Sequence, residues 1–169
     1  MTMKQTILDF VNREVDRSRP VLEQVPSGKY DWKPHDRSMQ FGYLANLVAT
    51  IPTWITMIIT QDSLDIAPKD GPTMKPKAMD SGKEFVAALE EAAAGARKAI
   101  ENTSDEYLRT KWQLKAAGNV VMEAPRGETI LDTISHWSHH RGQMTVYLRL
   151  MGAKVPSVFG PSADDKTFR

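Results

Sequence analysis

The 169-residue sequence contains no cysteine. That absence removes disulfides, thiolate metal ligands, cysteine nucleophiles and thiol redox switches from consideration. An excess of either charge is also missing: 22 Lys and Arg stand against 21 Asp and Glu, a formal net charge of +1. A nucleic-acid-binding domain ordinarily carries a basic surplus gathered on one face, so no nucleic-acid partner is expected. No apolar run approaches the ~18 residues of a bilayer span, and no membrane partner is expected either. The opening MTMKQTILDFVNREVDR threads charges through its apolar residues and lacks the core of a signal peptide. Gly-rich phosphate loops, serine-nucleophile motifs and paired carboxylates with a plausible partner are all missing. What remains is an ordinary globular mixture, 41% hydrophobic and 25% charged. A chain of this size buries roughly 70% of its unfolded surface and folds without staples. The expectation is one cytoplasmic domain over 1–169, with its body over 1–152 and a tail over 153–169 packed on it.

Four segments carry helical periodicity. In the first, Ile7, Leu8, Val11 and Val15 recur at three- and four-residue spacing, and the pattern fades near Arg19 and Pro20. The second runs from about Met39 to Gln61, with Pro52 inside it. That proline has no amide for the Val48 carbonyl, so a kink is predicted there. The third opens at Asp80 and Ser81 as a cap and carries Phe85, Leu89, Ala92, Ala96 and Ile100. Between the second and third, DIAPKDGPTMKPKAMDSG reads as a long surface loop.

The fourth helix is predicted from about Glu128 to Met151, and it carries two adjoining stripes. One is Ile134, Trp137, Met144, Leu148 and Met151; the other is His136, His140, Gln143, Tyr147 and Leu150. So wide an inward face calls for several enclosing neighbours, as in a four-helix bundle. Arg141 is read as structural, covering apolar surface and pairing with a carboxylate. Gly142 is read as permitting close approach of a neighbouring helix. Ahead of this helix, TKWQLKAAGNVVMEAPRGETI reads as irregular, with one short hairpin turning at Gly118 and Asn119. The fold class is therefore all-α with that irregular segment. Asp164 and Asp165 are expected in a solvated tail, with Val158 and Phe159 tying the tail to the body.

Three of the four histidines fall within five residues: His136, His139 and His140. Positions i and i+4 lie roughly 40° apart round a helix, so the His136 and His140 rings can converge on one point. Neutral imidazoles suit zinc, nickel, copper or iron. The H-E-x-x-H pattern of zinc peptidases is absent, because Trp137 stands where its general base would be. The alternative is a pair of histidines satisfied by hydrogen bonds. Their place in a stripe continued by Gln143 and Tyr147 favours a lined cavity. His35 reads as a loop residue. The nine methionines read as core and loop fillers.

HWSHHRGQMTVYLRLMG resembles the H-x-x-x-H-R-G-Q signature of the last helix in DinB/YfiT-like proteins. DWKPHDRSMQFGYLANLVATIPTW is similar to that family's entry into its second helix, and VPSVFGPSADD to its ending. The resemblance implies a four-helix bundle in up-down-down-up order, a homodimer, and a divalent metal held between helices by three histidines. It also implies hydrolysis or thiol transfer on a small-molecule substrate. Two ligands carry over, onto His136 and His140. Aligning the second-helix pattern on Phe41, Gly42, Leu44 and Ala45 puts the third at Leu47, which offers no lone pair. Two readings follow. One is an incomplete two-histidine site for zinc or nickel, weakly held or absent, in a pocket lined by Leu47, Gln143 and Tyr147. The other is a non-catalytic bundle that binds a ligand or a partner.

Overall fold

The structure, a computed structural model, describes residues 2–69, 71 and 78–168. Its helices are α1 Met3–Glu23, α2 Phe41–Thr50, α3 Pro52–Thr60, α4 Gly82–Glu101, α5 Asp105–Leu108 and α6 Arg126–Leu150. Its strands are β1 Ser63–Asp65, β2 Lys111–Ala116 and β3 Asn119–Pro125. Helices α1, α2, α3, α4 and α6 enclose one apolar core, with Trp137 fully buried in it. The all-α expectation is corrected: a three-stranded sheet, in order β1-β2-β3, precedes the last helix.

Helix α1 runs past Pro20 to Glu23, beyond the end that the fading pattern suggested. An interior proline costs about 3 kcal/mol. Val21 and Leu22 are both fully buried just beyond it. Burying two such side chains contributes about 1.5–3 kcal/mol each, so the helix continues. Its start is held from far along the chain: both Asp105 carboxylate oxygens accept amides, from Met3 at 3.0 Å and Lys4 at 2.9 Å.

The kink is where Pro52 puts it, and α2 and α3 meet at 49°. The Val48 carbonyl that Pro52 leaves without an amide accepts the Trp137 indole N–H at 2.8 Å instead. One missing donor thus becomes an anchor point for α6. Close approach belongs to Gly42, not Gly142. A Cβ on Gly42 would lie 2.0 Å from the Tyr30 ring, whereas one on Gly142 would meet nothing within 4 Å. The expected cap of α4 is Ser81: its Oγ accepts from the Glu84 amide, and Glu84 Oε2 accepts from the Ser81 hydroxyl and the Asp80 amide. Of the loop predicted before it, residues 70 and 72–77 lie outside the described residues.

Strands β2 and β3 form an antiparallel hairpin longer than the short one predicted, and β1 joins β2 in parallel. The turn sits at Ala117 and Gly118, both at positive φ (51° and 82°), one residue earlier than expected. A left-handed alanine is costly. Asp65 of β1 compensates by accepting both turn amides, Ala117 at 3.1 Å and Gly118 at 2.7 Å.

At the start of α6, Arg126 is almost fully buried. Its guanidinium donates to the carbonyls of Ile58 and Gln61, to Thr110 Oγ1 and to Asp62 Oδ1. It therefore closes the C-terminal end of α3. The tail is tied as well as solvated: Asp164 is exposed and Asp165 half-buried, and both hold the chain. Asp164 accepts the Val155 amide and pairs with Arg149 at 2.6 Å, and Asp165 accepts the Ser157 amide at 3.0 Å. Phe159 lies under Arg17 and Arg141, with ring-centroid distances of 4.1 and 5.5 Å.

Candidate functional site

Only the first stripe of α6 faces fully inward. Ile134, Trp137, Met144 and Leu148 are buried, with Arg141 between them, and Met151 is half-buried at its end, while His136, Gln143 and Leu150 are exposed and Tyr147 is half-buried. The wide enclosed face is corrected on that account: the second stripe forms the edge of the bundle. His140 is the exception, being buried. The site is consequently open on the His136 side and closed on the His140 side.

The i, i+4 geometry does bring the two rings together. Their centroids are 4.4 Å apart, and Nε2 of His140 faces Nε2 of His136 at 2.6 Å. His140 Nδ1 meets Gln143 Oε1 at 2.9 Å. With that amide oxygen as acceptor, Nδ1 carries the proton of neutral His140. Its Nε2 is then the lone-pair end, and His136 Nε2–H is the donor between the rings. The Trp54 ring of α3 closes the other side of His136 at 5.4 Å, and His139 stands edge-on to His140 at 5.2 Å.

The remaining predicted pocket residues are placed less tightly. Leu47 is half-buried against the core on α2. Tyr147 stacks near Phe41 and meets Trp32 edge-on, and its hydroxyl donates to the Met39 carbonyl at 3.3 Å. It braces the helix ends rather than the imidazoles. Arg141 is structural, as expected, because it forms a buried ion pair with Glu14 of α1. Trp54 was missed by sequence reasoning. It lies seven residues beyond Leu47, on the same face of the kinked helix, and that spacing was the signal available.

The donor set does not make a self-sufficient metal centre. Among the described residues no group of three or more His, Cys, Asp or Glu is placed to share an ion. Zinc–nitrogen bonds of about 2.0–2.1 Å at a tetrahedral angle put two nitrogens about 3.3 Å apart. The imidazoles, at 2.6 Å, would have to part to admit an ion. The donor missing at Leu47 cannot be recovered by rotating a side chain.

The Trp54 and His140 rings cover part of the otherwise exposed His136 imidazole, and that desolvation pushes it below its ordinary value, with the charges of His140 and His139 adding to the effect. The unfolded chain, with a histidine value near 6.5, then binds the proton more readily than the folded one. Stability is therefore lost as pH falls below about 6.5. The urea midpoint should drop on acidification, and His136→Gln should drop less. Equal slopes in the two proteins would rule out a desolvated ring.

Among the described residues no single helix is long and apolar enough to cross a membrane. A model of the DinB family matches residues 1–167. An uncharacterized protein of Bacillus subtilis, YrdA, is 35% identical over 68 residues, which covers 38% of this chain and 41% of that protein. Two crystal structures share the fold. A DinB-like protein of Bacillus cereus matches with a TM-score of 0.69 at 20% identity, over 91% of this chain and 96% of that one. The DinB-like protein YjoA of Bacillus subtilis matches with a TM-score of 0.69 at 15% identity, over 95% and 99% of the two chains.

Proposed function

Because the chain belongs to the DinB family, we propose that His136 and His140 are an incomplete divalent-metal site. In this reading a small molecule binds beside the two rings, and zinc or nickel is held weakly or not at all. The observation that carries it is the convergence of two Nε2 atoms, 2.6 Å apart, with Leu47 at the position of the third histidine. Two imidazoles leave most of a tetrahedral ion's positions to solvent or to the bound molecule. Hydrolysis or thiol transfer would depend on a ligand that brings its own donor. The Gln143 contact on His140 Nδ1 supports this, since metal-ligating histidines ordinarily donate their second ring N–H to such a partner.

The alternative is a non-catalytic bundle that binds a ligand or a partner, and the half-buried Leu47 side chain favours it. One variant separates the two. Protein purified without chelator or histidine tag should carry well under one zinc or nickel per chain by elemental analysis. Leu47→His should raise that to one per chain if the pocket geometry is intact. A full complement in the unmodified protein would overturn the incomplete site. A folded Leu47→His protein that stays metal-free would show a repacked pocket and leave the binding bundle as the reading. Homodimerisation is part of the same proposal and is checked by light scattering.

A further inference from the structure

From Thr133 to Leu148, α6 carries one Asp, Glu, Lys or Arg, the buried Arg141. At the chain's 25% share of charged residues, a stretch of that length would hold about four. The water-facing side of more than four helical turns therefore has no acid and no Lys or Arg on it. Leu131, Ser135, His139, Gly142, Val146 and Leu150 recur there in steps of three and four, and all six are exposed. Leu131, Val146 and Leu150 keep 40%, 57% and 59% of their surface in water. Trp137, Met144 and Leu148 bury the opposite side. Apolar side chains thus stand on both sides of α6, as on a helix that is covered twice.

The order of residues along that side says what covers it. Charge returns at the two ends with opposite sign. Asp132, before the uncharged stretch, is exposed and has no partner among the described residues. Arg149, after it, meets Asp164 through one nitrogen and keeps 47% of its side chain exposed. An identical helix packed antiparallel, about a two-fold axis between His140 and Arg141, brings together positions whose numbers sum to 281. Leu131 then meets the partner's Leu150, Asp132 the partner's Arg149, Ser135 the partner's Val146 and His139 the partner's Gly142. Large side chains face small ones at both inner steps, and opposite charges face each other at the ends; symmetry makes every contact twice. A parallel pair would instead set Asp132 against Asp132 and Val146 against Val146. Gly142 provides the hole for the knob: a Cβ there would meet nothing within 4 Å, and a hollow of about 490 Å³ opens beside it, between α6 and the tail. The exposed Phe159 is part of the wall of that hollow and extends the apolar face. An interior glycine weakens a helix, and no group of this chain uses the room it leaves. We infer that the outer side of α6 packs antiparallel on α6 of a second copy of the chain. The inference rests on the homodimer proposed above and not on the metal.

The lack of native cysteine makes the register testable by cross-linking in the full chain. In the double variant Ser135→Cys with Val146→Cys, the two thiols of one helix lie about 16 Å apart and cannot bridge. Across the axis each faces the other's position, so mild oxidation should convert most of the protein to a disulfide-linked dimer. Ser135→Cys alone should stay unlinked, because its two copies also lie about 16 Å apart along the paired helices. Val146→Glu, at a position already exposed, should leave the circular dichroism unchanged and weaken dimerisation about tenfold or more in sedimentation equilibrium, by pressing a carboxylate into the contact. A dimer that the double variant does not link, or that Ser135→Cys alone links as fully, would overturn this face and leave the homodimer standing. A Val146→Glu protein that dimerises as tightly as the unmodified chain would do the same. A chain that stays monomeric at every concentration would overturn both and leave the outer side of α6 to a different protein. Zinc or nickel content, measured separately, is touched by none of these results.

Discussion

Glu14→Ala is expected to lose about 3–5 kcal/mol of folding stability, measured by urea unfolding, because it strands the Arg141 guanidinium in the core. Both partners are almost fully buried, with side-chain exposures of 1% for Arg141 and 4% for Glu14. Burial pulls the Arg141 guanidinium below its ordinary value, and the Glu14 carboxylate opposes that pull. Arg141 also donates to Ser18 Oγ at 3.3 Å and Ser138 Oγ at 3.1 Å, and Glu14 also accepts from Arg17 at 2.8 Å. Neither serine can neutralise the charge. The double variant Glu14→Leu with Arg141→Met should regain most of the loss, since an apolar pair of similar volume has no charge to desolvate. A single-variant loss below about 1 kcal/mol would mean that water reaches the pair as it does at the surface.

Arg126→Met carries the second large effect, a loss of about 3 kcal/mol in the same measurement. It removes the donor of the Ile58 and Gln61 carbonyls, and each unsatisfied buried acceptor costs about 1–3 kcal/mol. The stacking over the Tyr107 ring, 4.5 Å from the guanidinium, goes with it. Asp62 supplies the control. Its side chain is 97% exposed, so Asp62→Asn should change stability by less than about 1 kcal/mol although it removes the one ion pair that guanidinium makes among the described residues. If Asp62→Asn proved the more damaging, the charge pair and not the carbonyl closure would be what holds the end of α3.

The sequence makes the long helices legible because each buries a periodic stripe, and Pro52 could be read from the amide it lacks; α5, four residues with Leu108 alone buried, is too short to show a period. The sheet is largely hidden. β1 is three residues long, too short for alternation to register, and it is fixed by Asp65 reaching a turn some fifty residues away. The hairpin turn was displaced because Gly118 and Asn119 carry the usual turn signal, whereas Ala117 takes the left-handed position with that carboxylate behind it. The His136 and His140 pairing was legible from four-residue spacing alone. The openness of the His136 side was not, because periodicity marks which residues share a face but not how many neighbours cover it. Arg141 was readable as a structural cation, but its partner on α1 lies 127 residues away and leaves no local trace.

The indole of Trp137 acts as a strut of fixed length between α6 and the bend of the neighbouring rod. Its adjacent residue, His136, and Trp54 just past the bend are thereby held in ring contact, 5.4 Å between centroids. A ring without the N–H would leave that gauge unpinned. The meeting of those two rings traces back to a single proline that has no hydrogen to give.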